Sequence, residues 1–352
     1  MPDKPPVVRG RRTFVDRPRP TLRDVAREAG VDISTASRVL RRTVDAATSA
    51  ETRQRIEDAA RRLQYQPNVL ARGLRLKRTG SIGVVVPQLD NPVFQELVLA
   101  AEEEAAANGQ SVIIYHIDET HRPAQSLVSL AQANQVDGLI VATLNVADSG
   151  LGALRELPCP FVLVNRAADG VDASVSLDDA AGARLAVRHL ADLGHRRIGF
   201  LAGPAGRYNA DQRLAGFRAG LVEAGLDFDP ALVETAGYDF VSGRTAMQRL
   251  IDDGRMPGAI VGVTLTAAVG VIAAAGAAGI DVPRDLSVVA IHDGVLAEMC
   301  RPRLTTVRFP VGRMARLAVQ ALRSRIEGDS FGLPVVLSPD GIVIRDSCAD
   351  RR

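Results

Sequence analysis

Residues 21–40 read TLRDVAREAGVDISTASRVL, and the rest of the chain is best understood outward from them. Thr21 can cap a helix, and Asp24 suits that helix's positive end. Leu22, Val25, Ala26 and Ala29 form one apolar stripe, and Gly30 permits a tight turn. Asp32 can cap a second helix whose inner face is Ala36, Val39 and Leu40. Its outer face is Ile33, Ser34, Thr35, Ser37 and Arg38. Two short helices joined at a glycine, the second showing small polar groups and one arginine outward, make a helix-turn-helix pattern.

Thr48 and Glu51 are spaced as a capping box for a third helix, with Ile56, Ala59, Ala60 and Leu63 inward. Beyond it, YQPNVLARGLRLKR (residues 65–78) forms a basic connector ending at Thr79-Gly80, with Pro67 at the start of a short helix. Leu74 is apolar among Arg72, Arg75, Lys77 and Arg78. A leucine on a basic helix can wedge into a minor-groove base step, and Arg75 and Arg78 are expected to meet phosphates. Residues 1–80 hold 19 Lys+Arg and 9 Asp+Glu, a net of +10, whereas the remainder of the chain nets −8. A basic head on an acidic body points to a polyanion partner for the head alone.

From Ser81 onward, short apolar runs alternate with amphipathic stretches. The runs are Ile82–Pro87, Val112–His116, Gly138–Ala142, Phe161–Asn165, Ile198–Ala202, Ala259–Val263 and Val288–Ile291. Helical patterns such as Phe94–Asn108 and Ala180–Leu193 lie between them, which predicts βαβ units and a parallel sheet. About 270 residues of this pattern exceed one comfortable core, so two similar lobes are expected. Met256–Ile280 carries no charge over a length that could span a bilayer. Its five glycines, its acidic flanks and its place in the strand–helix alternation read instead as a buried strand and a buried helix. At 46% hydrophobic and 24% charged residues the composition is globular, which excludes a disordered chain or a fibrous repeat. Three scattered cysteines make no disulfide framework, and the histidines have no metal-ligand spacing. No catalytic residue, metal or cofactor is expected.

The runs TLRDVAREAGVDISTASRVL, TRQRIEDAARRLQYQPNVLARGL and IGVVVPQLDNPVF together resemble the lactose-repressor (LacI) family of bacterial regulators. VDGLIV, HLADLGHRRIGFLAGP, RLAGF, DLSVVA, LTTV and IVIRDS follow in the same order, so the similarity covers about residues 21–347. The resemblance implies an α/β fold: an N-terminal helix-turn-helix head plus a two-lobed, periplasmic-binding-protein-like core with parallel sheets. The expected division is a disordered basic arm at 1–20, the DNA-binding head at 21–66 and a hinge helix and linker at 67–80. The first core lobe takes 81–175 and 308–337, and the second takes 176–307 and 338–352. In that family the second helix lies in the major groove, which assigns Asp32, Ile33, Ser34, Thr35, Ser37 and Arg38 to DNA. Ile33 and Ser34 fall where members choose bases, and Arg38 can reach a guanine edge with two hydrogen bonds. Leu22, Thr35 and Ser37 match backbone-positioning contacts. Tyr65 and Asn68 match phosphate and hinge contacts, and Ala71 and Leu74 the minor-groove face. Asp32 replaces a serine common at that cap; it still caps, but repels phosphate.

The same resemblance places an effector between the lobes. Asn91, Pro92 and Phe94 follow the first strand, Asn145 the third, and Asn165 with Arg166 the fourth; Arg213 and Tyr238 match a ligand-directed arginine and an aromatic wall. Two positions depart from the family. Thr264-Leu265 stands where members carry Asn-Asp, and His292, followed by Asp293, where they carry Asp. A cleft poorer in carboxylate and richer in Arg166, Arg213 and His292 suggests an anionic effector, such as a sugar acid or phosphorylated metabolite. A neutral sugar bound differently and a cleft that has lost its ligand are the competing readings. The function that follows is a cytoplasmic, nucleoid-associated regulator, usually a repressor, binding a palindromic double-stranded DNA operator as a homodimer, with no membrane partner. The chain ends five residues after Ser347 without leucine heptads, which favours a dimer over a tetramer. Three rivals remain. A doubly wound oxidoreductase needs glycines after Ile82–Pro87, where PQLDNPVF has none. An exported solute-binding protein needs no basic head. A partner protein could replace the small ligand.

Overall fold

The computed structural model describes residues 20–40, 48–65, 78–117, 123–143, 156–332 and 334–352, together with Gly152 and Leu154. Two compact units divide the chain, Met1–Arg75 and Leu76–Arg352. In the first, helix α1 (Leu22–Ala29) starts at Thr21, whose hydroxyl accepts from the Asp24 amide while the Asp24 carboxylate accepts from the Thr21 amide. Gly30 ends it in the left-handed region at φ 63°, which a side chain resists. Helix α2 (Ile33–Leu40) begins under Asp32, which accepts from the Thr35 amide at 2.9 Å. Helix α3 (Ala50–Arg62) is capped by Ser49, accepting from the Thr52 amide, and not by Thr48 with Glu51. Ser49 is the last extended residue before the first turn, the position from which a hydroxyl reaches the free amides. Val25, Ala26, Ala29, Ala36, Ile56 and Ala59 are buried where the three helices meet.

In the second unit the described residues form two six-stranded sheets. The first contains β1 (Ser81–Val86), β2 (Ser111–His116), β3 (Leu139–Val141), β4 (Phe161–Val164), β5 (Ser174–Leu177) and β11 (Val335–Leu337), in the order β11-β5-β4-β3-β1-β2. The second contains β6 (Ile198–Ala202), β7 (Val233–Thr235), β8 (Ala259–Gly262), β9 (Ser287–Ile291), β10 (Thr305–Arg308) and β12 (Gly341–Val343), in the order β12-β10-β9-β8-β6-β7. Every pairing is parallel except β12 on β10. The first sheet carries α4 (Pro92–Ala107), α5 (Pro123–Gln132) and α11 (Val311–Glu327). The second carries α6 (Asp179–Asp192), α7 (Tyr208–Glu223), α8 (Phe240–Asp252), α9 (Leu265–Ala277) and the short α10 (Val295–Met299). The uncharged stretch 256–280 is β8 followed by α9, and no helix among the described residues is long and apolar enough to cross a membrane.

The chain passes between the sheets after β5, after β10 and after β11. These passages bond to one another: the Asp178 amide donates to Leu337 O at 2.9 Å and the Asp340 amide to Arg308 O at 2.8 Å. A lobe boundary after residue 175 cuts β5, which continues to Leu177 and pairs it with Leu337. The boundary therefore belongs two residues later, because a strand hydrogen-bonded to its neighbour moves with it.

Two helix pairs cover the second sheet by backbone contact. A Cβ on Gly216 of α7 would stand 2.2 Å from Ala180 O of α6, and one on Gly243 of α8 would stand 2.2 Å from Ala267 O of α9. Only glycine lets the axes come this close. Gly216→Ala and Gly243→Ala should each therefore destabilise the core by about 1–3 kcal/mol, read as a lower Tm in calorimetry. An unchanged Tm would show that these helices can part freely.

Candidate DNA-reading face and effector cleft

On α2, Ile33, Ser34 and Arg38 are exposed, while Ala36 is buried against the other helices. Asp32 organises this face. The hydroxyls of Ser34 and Thr35 donate to its carboxylate, the latter at 2.6 Å, and Arg38 donates to Thr35 Oγ1 at 3.3 Å. The Ser34 and Thr35 hydroxyls and the Thr35 amide hold the Asp32 carboxyl well below the usual carboxylate range. Ser34 and Thr35 thus present oxygen lone pairs outward, and Arg38 supplies the outward donors. Leu22 and Tyr65 pack against the head's core. Asn68, Ala71 and Leu74 lie outside the described residues. Arg78 donates from Nη2 to Ile326 O of the core at 2.9 Å, a carbonyl that ends α11 without a helical partner.

In the core, one buried network joins the passage after β5 to the carboxyl ends of β4, β8 and β9. Arg213, in the second turn of α7, is 3% exposed. Its Nε donates to Asp179 Oδ1 at 2.7 Å, its Nη1 to Val263 O at 2.7 Å, and its Nη2 contacts His292 Nε2 at 2.8 Å. Asn209, one turn earlier on α7, donates from Nδ2 to Asp179 Oδ2 at 2.6 Å and to Asn165 O at 2.9 Å. A guanidinium only donates, so His292 Nε2 accepts and the ring proton sits on Nδ1. Burial, and then the Arg213 guanidinium beside it, push His292 well below its ordinary 6.5, so the ring is neutral.

Asn165 and His292 share two features. Each follows a strand in the left-handed region, at φ 59° and 70°. Each also has a buried polar atom, Asn165 Oδ1 and His292 Nδ1, with no hydrogen-bond partner in the protein. Strained backbone and orphaned polar atoms at strand ends are the marks of a ligand site. Thr264 caps α9 by accepting from the Ala267 amide, and it donates to Tyr238 O at 2.8 Å. Its hydroxyl is therefore spent on structure. Asn91 caps α4, and Phe94 is buried in the core cluster. Arg166 is buried beside Asn165, and Asn145 lies outside the described residues. A cavity of about 340 Å³ opens beside His292, between Val93 and Glu96 of the first lobe and Asp293, Arg308 and Phe309. Burial alone would raise the Asp293 carboxyl, but hydrogen bonds from Arg308, Thr306 and Arg345 hold it below its ordinary range.

The sequence reading did not single out Asp179, Asn209 or Phe309. The signal for Asp179 was indirect. Arg213 lies on the face of α7 that also carries Ala210 and Phe217, and an arginine on a buried face requires a buried carboxylate.

Residues 21–68 match the family model described as bacterial regulatory proteins, lacI family, and residues 187–348 match a periplasmic binding protein-like domain. Catabolite control protein A of Priestia megaterium is 31% identical over 329 residues, covering 93% of this chain and 98% of that protein. The lac repressor dimer bound to operator and the anti-inducer ONPF superposes with a TM-score of 0.81 at 27% identity, covering 94% of this chain and 99% of that one. The CelR–cellobiose complex, described as a transcriptional regulator, superposes at 0.70 with 29% identity, covering 94% and 100%.

The neutral His292 sets a pH dependence. Below pH 6.5 the unfolded chain takes up a proton that the buried ring refuses, so stability is full above 6.5 and lost as pH falls. The slope from this one residue is at most about 1.4 kcal/mol per pH unit. Denaturant titrations between pH 7.5 and 5 should show it, and His292→Gln should flatten the curve. Parallel curves for the two proteins would count against a neutral His292.

Proposed function

The chain belongs to the LacI family of bacterial regulatory proteins, and from that premise we propose a repressor that reads a two-fold symmetric operator as a homodimer and responds to a neutral, hydroxyl-rich sugar. It is a DNA-binding transcription regulator rather than an enzyme. Its place of action is the bacterial cytoplasm, on the nucleoid.

The ligand reading is carried by Asn165 Oδ1 and His292 Nδ1. One is an acceptor at the end of a first-lobe strand and the other a donor at the end of a second-lobe strand. A buried polar atom left unpaired costs about 1–3 kcal/mol. A sugar supplies both complements, a hydroxyl donor for Asn165 and an oxygen acceptor for His292. The anionic effector expected from the arginines loses two of its three grounds. The charge of Arg213 is met by Asp179, and His292 is uncharged. An anion would bring a second negative charge beside Asp179, whereas a neutral polyol leaves the charge balance of the pair unchanged. The cellobiose held by the CelR protein agrees with this class of ligand.

The DNA reading rests on the outward face of α2, where Ile33, Ser34 and Arg38 are exposed. Self-association has apolar surface to use. Val295 and Met299, one turn apart on α10, are 75% and 71% exposed, and Leu99 and Ile114 are exposed on the first lobe. The lac repressor is a dimer in its operator complex.

Two measurements test these readings. Duplexes selected from a random pool should share a palindromic sequence. Arg38→Ala should relax one base position per half-site, weakening the preferred duplex about 5- to 150-fold, the equivalent of one bidentate base contact of about 1–3 kcal/mol. Equal loss on every duplex would reassign Arg38 to the backbone. Calorimetry with neutral mono- and disaccharides beside their uronic acids and phosphates should show binding to a neutral sugar that is lost in Asn165→Ala. Binding of the acids or phosphates alone would reverse the ligand class.

A further inference from the structure

We propose that α11 is the rod through which the cleft acts on the linker to the DNA-binding head, with Asp137 and Arg78 as the positioning residues that fasten the linker to its far end. The proposal rests on the DNA-binding role, and it adds how the state of the core reaches DNA.

At its near end the rod touches the cleft. The ring of Phe309 lies against that of His292, centroids 5.0 Å apart. Phe309 is also lodged over α6, where a Cβ on Gly182 would stand 2.3 Å from Phe309 Cζ. Helix α11 starts two residues later. Val311, Met314, Ala315, Ala318 and Leu322 bury its inner face along the first lobe. Its 17 residues span about 25 Å.

At its far end the helix meets the linker directly at Arg78 and meets the backbone beside its anchor, Asp137. A Cβ on Gly138 would stand 2.8 Å from Leu322 Cδ1 and 3.2 Å from Ile326 Cδ1, so the last turns sit directly on the backbone beside Asp137. Arg78 donates from Nη2 to Ile326 O at 2.9 Å. Asp137 gathers the next two linker residues around one carboxylate. The Thr79 amide donates at 2.5 Å, the Thr79 hydroxyl at 3.0 Å and the Gly80 amide at 2.9 Å. The Asp137 amide in turn donates to Ser81 O at 2.8 Å, where β1 begins. This clamp sits at the amino ends of β1 and β3, and the cleft residues stand at strand carboxyl ends.

Charge-assisted hydrogen bonds from three donors hold the linker root stiffly. A close-packed helix does not compress, so a shift of Phe309 is delivered to Ile326 and Gly138 rather than absorbed between. In this scheme Arg78 acts by geometry, through its planar guanidinium, and not as a counter-charge for phosphate.

The test is a double-mutant cycle on the full-length protein, without any sugar, using a duplex that the wild type selects from a random pool. Changes about 25 Å apart with no connection between them should add. If the rod connects them, Phe309→Leu should change the duplex Kd by about threefold or more in the wild-type background and by less than about 1.5-fold beside Asp137→Asn. His292→Asn serves as the cleft-end variant should Phe309→Leu fail to fold. Arg78→Lys, which keeps the charge, should reproduce the loss of coupling with an unchanged salt slope. An Asp137 that is merely structural would lower the Tm and leave the cycle additive. Additive changes, or no effect of either cleft-end variant on DNA affinity in the wild-type background, overturn the proposal. Failure of the sugar reading would be seen in the calorimetry alone, because this cycle contains no sugar.

Discussion

The Arg213 guanidinium is buried at the strand ends of the second lobe, where the Asp179 carboxylate answers its charge at 2.7 Å. Around that pair the rest of the cleft is arranged. Asp179 opens α6, immediately after the chain leaves the first sheet, while Arg213 reaches from α7 to the ends of β8 and β9. The pair ties a passage between the lobes to the strands that present Thr264 and His292. Its net contribution to stability is small, because desolvation offsets most of the Coulombic gain. Its effect is to orient. It leaves Arg213 little positive charge for a ligand and holds His292 neutral with its proton on the free side.

That arrangement recasts the departures from the family pattern. With Thr264 committed to capping α9 and to Tyr238 O, its hydroxyl is part of the scaffold. In the proposed sugar reading His292 offers one donor, at Nδ1. Asn165 restores an acceptor on the opposite lobe. The cleft keeps hydrogen-bonding capacity of both signs, while the charge of Arg213 is met by Asp179. A hydroxyl, both donor and acceptor, matches that combination better than a carboxylate or phosphate does.

Much of this was legible in the residues. The seven apolar runs became β1–β4, β6, β8 and β9 to within one or two residues, because continuous Val, Ile and Leu stretches suit the strands of a parallel sheet, all but the edge strand β2 being buried on both faces. Strands β5, β7, β10, β11 and β12 gave no such signal. They are three or four residues long, and β5 (SVSL) and β10 (TTVR) bury Ser174, Ser176, Thr305 and Thr306, which look like loop residues until a sheet covers them. Four of those five, all but β7, lie beside the passages between lobes, so the boundary near residue 175 was the least readable point of the chain.

By itself, the sequence determined the elements and their classes: a capped three-helix head with an outward Arg38, and an alternation of strands and helices long enough for two lobes. Those features are local, set by side-chain periodicity and by capping residues within a turn or two of one another. What Arg213, His292 and Arg78 do was decided only by the tertiary structure. Arg213 meets its counter-charge at position 179, His292 has its proton placed by position 213, and Arg78 finds its hydrogen-bond acceptor at position 326. A charge is cancelled, or a proton placed, by whatever the fold brings within 3 Å, and no spacing along the chain encodes that distance.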